Sequence, residues 1–223
     1  MRERCADRPD IFQQLNREPP VDIDLVGYSK QHSQISRMFS ELGYRIDPAI
    51  AQSQEWGIQR LIYRAPDSTA KIDVFLDVLR MSHTIDFRDR LALMPITVSP
   101  ADLLLAKLQV FRITEKDLKD IVALLLLHDL GGPSADAIDV RYLQSLLRRD
   151  WGLTYTVSKN LALADAWLAA HQGLRGEDTI VARSRLEQLT RDIDAEPKTL
   201  RWRFRALIGP RLQWYEEVGD VER

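Results

Sequence analysis

The chain has 223 residues, 45% hydrophobic and 29% charged, a balance that excludes a disordered or low-complexity protein. Lys and Arg number 31 against 33 Asp and Glu, a net charge of -2. No whole-molecule field therefore draws the chain onto nucleic acid or a membrane, and a nucleic-acid contact would need a local patch. Cys5 is the single cysteine, which rules out an internal disulfide or a thiolate metal cluster and points to a reducing, cytoplasmic setting.

No apolar run approaches the ~20 residues of a bilayer span, and Met1 to Asp10 hold no signal-peptide core, so no membrane partner is expected. Residues 1–20 read as a polar segment closed by Pro19-Pro20, a pair that disfavours helix. Val21-Asp22-Ile23-Asp24-Leu25-Val26 alternates strictly and predicts a strand, its apolar residues free to pack on a core. A helix capped at Ser29 is expected through Ile35, Met38, Phe39 and Leu42, with Gly43 as its stop. Gln59 to Tyr63 and Lys71 to Leu79 read as two more strands, with Ala65-Pro66-Asp67-Ser68 as a turn between them. Leu91 to Val98 contains Pro95 and belongs at a sheet edge or in irregular structure.

From Ser99 the period changes. Ser99-Pro100 supplies an N-cap and a first-turn proline for a helix through Leu104, Lys107, Leu108 and Phe111. A second helix is expected over Glu115 to Leu127, with Gly131-Gly132-Pro133 as its stop. Val140 to Leu147, Ser158 to Ala170, Asp178 to Ile193 and Leu200 to Ile208 all carry helical spacing. The expected class is α+β, a mixed sheet flanked by helices and followed by a helical C-terminal half. The expected domains are a polar segment 1–20, an α/β core 21–130 and a helical region 134–223.

Asp22 and Asp24 leave one face of their strand together. Paired carboxylates repel unless a cation sits between them, and a hard ion such as Mg²⁺ prefers carboxylate oxygen. On the later strand Lys71, Asp73, Phe75 and Asp77 share a face, so an adjacent strand can present Asp73 toward Asp22 and Asp24. Three such carboxylates suit two divalent ions that clamp a triphosphate and activate an attacking hydroxyl. Asp73 is then base or third ligand, and Lys71 offsets charge or touches phosphate. Two half-exposed strands with polar outer faces explain the same spacing without any chemistry.

Asp-Ile-Asp-Leu on a strand, a helix, and Lys-Ile-Asp-Val on a later strand together resemble the DNA polymerase beta-type nucleotidyltransferase fold. Ser99-Pro100-Ala101-Asp102-Leu103, Lys107, Arg112 and Lys116-Asp117-Leu118-Lys119-Asp120-Ile121 resemble the helical motifs of its AbiEii-like bacterial branch, which includes toxins of toxin–antitoxin systems. The resemblance spans Val21 to Leu127. It implies Asp22, Asp24 and Asp73 as Mg²⁺ ligands and Lys107 on the nucleotide side. It also implies Asp117 or Asp120 as an additional polar or basic group. The implied reaction moves a nucleoside monophosphate from an NTP to a hydroxyl of RNA, such as tRNA, or of protein, releasing pyrophosphate. An antitoxin protein is the implied partner for a toxin member. One departure stands out: the family's Gly-Gly or Gly-Ser motif ahead of the first strand has no counterpart from Asp7 to Pro20. A catalytically degenerate domain acting as a binding module is the alternative.

His83 reads as a solvated loop histidine. Arg112 and Lys116 are expected to pair with Asp117 or Asp120 on a helix surface. Arg201-Trp202-Arg203-Phe204-Arg205 interleaves base and aromatic, but Trp202 and Phe204 diverge by about 200° on a helix, which favours packing on the core over RNA stacking.

Overall fold

The computed structural model describes residues 8–47, 60–66, 71–134 and 136–217. In chain order the elements are α1 (Asp10–Gln14), β1 (Asp22–Gly27), a short 3-10 turn (Ser29–Gln31), α2 (His32–Glu41), β2 (Arg45–Ile46), β3 (Arg60–Arg64), β4 (Lys71–Leu76), β5 (Val78–Arg80) and β6 (Thr84–Asp86). There follow α3 (Pro100–Leu108), α4 (Glu115–Leu127), β7 (Asp129–Gly131), β8 (Ala137–Asp139), α5 (Val140–Leu147), α6 (Trp151–Ala170), α7 (Gly176–Ala195) and α8 (Leu200–Ile208). The protein is α+β, with a mixed sheet and a helical C-terminal half. No helix among the described residues is long and apolar enough to cross a membrane.

Two compact units emerge. The sheet unit comprises the described residues within 19–80 and 84–98. The helical unit comprises those within 1–18, 81–83 and 99–223. The expected core 21–130 divides differently here. Residues 99–130 pack with the later helices because α3 and α4 both lie against α6.

In the sheet unit the strand order is β1-β4-β3-β2, with β1 parallel to β4 and the other pairs antiparallel. One face carries Leu61, Tyr63, Ile72, Val74 and Leu76 against Phe39 of α2. Phe39 stacks on Tyr63 at 4.2 Å between centroids, a pair worth about 0.5–1.5 kcal/mol beyond its buried area. Contrary to the alternation argument, Ile23 and Leu25 of β1, and Val21 just before it, do not enter this core. Val21 is 80% exposed, Ile23 54% and Leu25 39%. β1 is an edge strand, and the α2 side chain Ile35 meets the sheet at its far end, beside Gly27.

The single strand expected over Lys71 to Leu79 is broken at Asp77, whose φ of 62° lies in the left-handed region. Its N–H donates to Gly27 O at 2.8 Å and its Oδ1 accepts from Ser29 N at 3.0 Å. These bonds compensate the unusual backbone, and β5 leaves to pair with β6. Hydrogen bonding from Ser29 holds the Asp77 carboxyl below its ordinary pKa. Leu91–Leu93 form a 3-10 turn, and the rest of the Pro95 segment is irregular. The expected turn residues Asp67 and Ser68, with Gln59 and Cys5, lie outside the described residues.

In the helical unit, Ser99 Oγ accepts from Asp102 N at 3.2 Å and Pro100 starts α3. Thr114 and Asp117 form a reciprocal capping box for α4. Arg185 of α7 donates to the carbonyls of Leu125 (2.7 Å) and His128 (3.1 Å), satisfying orphan acceptors where α4 ends. Asn160 of α6 donates to Leu108 O and Val110 O at 2.9 and 2.7 Å, tying α6 to the end of α3. Three details depart from the sequence reading. The polar N-terminal segment contains α1, which buries Ile11 together with Leu15. α6 starts at Trp151 rather than Ser158 and is capped by Asp150. The Gly131 region forms the parallel β7–β8 pair rather than only stopping a helix.

Candidate functional site

In the sheet unit the parallel register pairs Asp24 with Asp73 and Asp22 with Lys71. Paired residues in a parallel ladder project to the same side, so the three carboxylates and Lys71 share one face of the sheet. That face is opposite the one bearing Ile72, Val74 and Leu76. Asp22 and Asp24 are exposed, whereas Asp73 is 4% exposed.

The Asp73 carboxylate has two unlike oxygens. Oδ2 accepts from Arg60 Nη2 at 2.9 Å and lies 2.9 Å from Lys71 Nζ. Lys71 thus offsets the charge of Asp73, one of the two roles its position suggested. Arg60 also lies over the Phe75 ring, 5.3 Å from its centroid. Oδ1 is buried without a hydrogen-bond partner among the described residues. An orphaned carboxylate oxygen is costly to bury, and carboxylate oxygen is the kind of donor that hard cations prefer.

Among the described residues no group of three His, Cys, Asp or Glu side chains, Asp22, Asp24 and Asp73 included, comes together in a way that could hold a metal ion. Magnesium does not need one. It keeps several waters and is typically held by one or two carboxylates plus substrate phosphates. The orphan oxygen of Asp73, with Asp24 in register beside it and Asp22 two residues along, fits that open kind of donor set.

The second group of sequence candidates sits in the helical unit and is already occupied. Lys107 Nζ lies 3.1 Å from Asp117 Oδ1 and 3.0 Å from Asp120 Oδ2. Arg17 grips Asp120 with two prongs, Nε to Oδ1 at 2.7 Å and Nη2 to Oδ2 at 3.2 Å. Asp117 Oδ2 also accepts from Thr114 Oγ1 at 2.8 Å and Thr114 N at 3.2 Å. Two cations and two carboxylates therefore balance, and every carboxylate oxygen has a donor. Burial works against charge on Lys107, but Asp120 and Asp117 outweigh it and raise its pKa above the ordinary value. Burial likewise opposes ionisation of Asp117, yet Lys107 and Thr114 win and its pKa falls. Lys107, Asp117 and Asp120 are candidates from their motif, but Arg17 carries no signal, because it comes from the N-terminal segment 103 positions before Asp120. Arg112 lies 3.8 Å from Glu217 rather than pairing with Asp117 or Asp120.

His83 is buried, not solvated. Its ring Nε2 lies 2.9 Å from Thr156 Oγ1, and its backbone N–H donates to Gln109 Oε1 at 2.8 Å. Burial lowers its pKa, with Asp150 and Glu216 partly opposing. Trp202 turns inward and its indole N–H donates to Thr154 Oγ1 at 3.1 Å, in line with α8 packing partly on the core.

Comparisons with protein-family models, with curated proteins and with solved structures gave no match to the chain.

Proposed function

We propose that the sheet unit carries a magnesium-dependent nucleotidyltransferase site, which moves a nucleoside monophosphate from an NTP to a hydroxyl of RNA, such as tRNA, or of protein. The reading is supported by the Asp24–Asp73 register on adjacent parallel strands, with Asp73 Oδ1 beside it, which has no hydrogen-bond partner among the described residues. Asp73 is held rigidly in the centre of the sheet by Arg60 and Lys71 and supplies the fixed ligand. Asp22 and Asp24, on the exposed edge strand, are accessible to an ion that arrives with a triphosphate. Bound magnesium would neutralise the departing pyrophosphate and polarise the phosphate under attack. Arg60 and Lys71 keep the carboxylate face from accumulating uncompensated charge before substrate binds.

A second reading rests on the same Asp73. Two protein cations on Oδ2 already neutralise it, as in a degenerate domain that binds a partner, such as an antitoxin, without transferring anything. Labelled NTPs, Mg²⁺ and tRNA or total RNA distinguish the two. Label transfer by the wild type that is lost in Asp24→Ala and Asp73→Asn supports the transferase. Equal labelling by wild type and both variants overturns the site. Absence of labelling, with no triphosphate-dependent Mg²⁺ uptake by calorimetry, favours the binding module.

A further inference from the structure

Helix α8 presents an apolar stripe to solvent. Leu200, Phe204 and Leu207 are 70%, 69% and 78% exposed, Ile208 is 45% exposed, and the helix buries none of its residues fully. At about 100° per residue these four positions fall within a stripe roughly 100° wide. Arg203 lies at one edge and Arg201 at the other, both exposed. The opposite side faces the protein through Trp202 and through Arg205, which stacks over Trp151 at 4.5 Å and donates to Gly209 O. The helix is thus anchored by one face and open along the other.

The spacing 200, 204, 207 is the alternating four and three of a coiled-coil seam, and Arg201 and Arg203 occupy its flanking positions. From Lys198 to Leu212 the sequence holds one Lys, four Arg and no Asp or Glu. This is the local basic patch that the near-neutral total charge conceals. We infer that the exposed face of α8 docks an amphipathic helix of a partner protein whose apolar seam is flanked by Asp or Glu. A second copy of this chain would set arginine against arginine at the rim and is disfavoured. RNA would need stacking surfaces, but Phe204 alone among the stripe is aromatic. A stripe bounded by arginine on both sides is narrower than the wide apolar face with which helices lie in membranes.

The test uses the full chain and a designed helical peptide of about three heptads with Ile and Leu at the seam and Glu at the flanks. Fluorescence anisotropy against this peptide is compared with an otherwise identical Lys-flanked peptide, a single-stranded RNA and phosphatidylserine vesicles. The Glu peptide is expected to bind at least roughly tenfold tighter than the Lys peptide. The double variant Arg201→Glu, Arg203→Glu should reverse that order, and Phe204→Ser with Leu207→Ser should abolish binding of both. Circular dichroism checks that the variants remain folded, which surface positions favour. No binding of the Glu peptide, equal binding of both peptides, or tighter binding to RNA or vesicles overturns the inference. Because α8 carries none of the acidic triad, this outcome is independent of whether nucleotide transfer is found.

Discussion

Arg17 and Asp120 form a two-pronged ion pair, at 2.7 and 3.2 Å, between side chains only 8% and 3% exposed. The same carboxylate receives Lys107, so the pair is the hinge of a neutral four-charge cluster rather than an isolated bridge. Removing one member of a buried pair leaves the other charge in a poor solvent. Arg17→Ala should cost about 3 kcal/mol, the low end of that range because Lys107 still faces Asp120. Asp120→Ala should cost more, since it strands Arg17 and takes from Lys107 one of its two carboxylates. Urea unfolding of both variants and of the double variant measures the coupling; a double-variant loss equal to the sum of the singles would show that the pair does not act as a unit.

The Lys107–Asp117 contact sets a pH window. Asp117 titrates below its ordinary 3.8 in the fold, so its contribution is present above that value and is lost as acid takes the pH through the lowered pKa. Lys107 titrates above its ordinary 10.5, so its contribution is complete below that value and fades as the pH rises through the raised pKa. A Lys107→Met variant should therefore differ most from wild type between these limits, and the difference should shrink beyond either of them. Chemical denaturation at a series of pH values checks this.

His83 makes a separate acid effect at milder pH. Its folded-state pKa lies below the ordinary 6.5, so the unfolded chain takes up a proton first as pH falls. Stability should drop from 6.5 downward and level off once the folded state protonates too. His83→Gln, which can still bond Thr156, should flatten that part of the profile; an unchanged slope would assign it to other groups.

Gly152 is required by a close backbone approach. A Cβ there would sit 2.8 Å from Trp214 O and 3.1 Å from Trp214 Cβ. Trp214 packs edge-on against Trp151, Tyr155 and Phe111 and donates its indole N–H to Thr156 Oγ1 at 3.2 Å. Gly152→Ala should displace the segment bearing Trp214, red-shift tryptophan emission and cost about 1–3 kcal/mol by thermal unfolding.

Local chemistry made much of the fold legible. The Ser99-Pro100 cap, the apolar spacing of α2 and α4, and the alternation of β1 each specify their element with neighbours in sequence. What failed depends on distant partners. α1 and the residue after it offer only Ile11, Phe12 and Leu15 as apolar signals in a polar stretch, and Ile11 and Leu15 become informative once the helical unit buries them. The first turns of α6 are buried on several sides, by Trp151, Leu153, Thr154 and Val157, so no single stripe marks its start. At the site, alternation correctly put Asp22, Asp24 and Asp73 on one side of the sheet. The exposure of Ile23 and Leu25 was not readable, because edge position is a property of strand order. Nor could spacing show that Lys107 is bound to carboxylates of the next helix, since the geometry of the α3–α4 pair decides it.

The helical unit is interrupted by the whole of the sheet unit, so its first segment is made long before its companions. On a ribosome, Arg8 and Arg17 emerge well ahead of Asp178 and Asp120, to which they bind at 2.9 and 2.7 Å. The inserted sheet has all its strands by Asp86 and can settle while the nascent N-terminal arm still waits. Closure of the outer unit is thus a late, long-range event. A stalled or truncated translation product ending before α7 would carry a finished insert on an unfinished host.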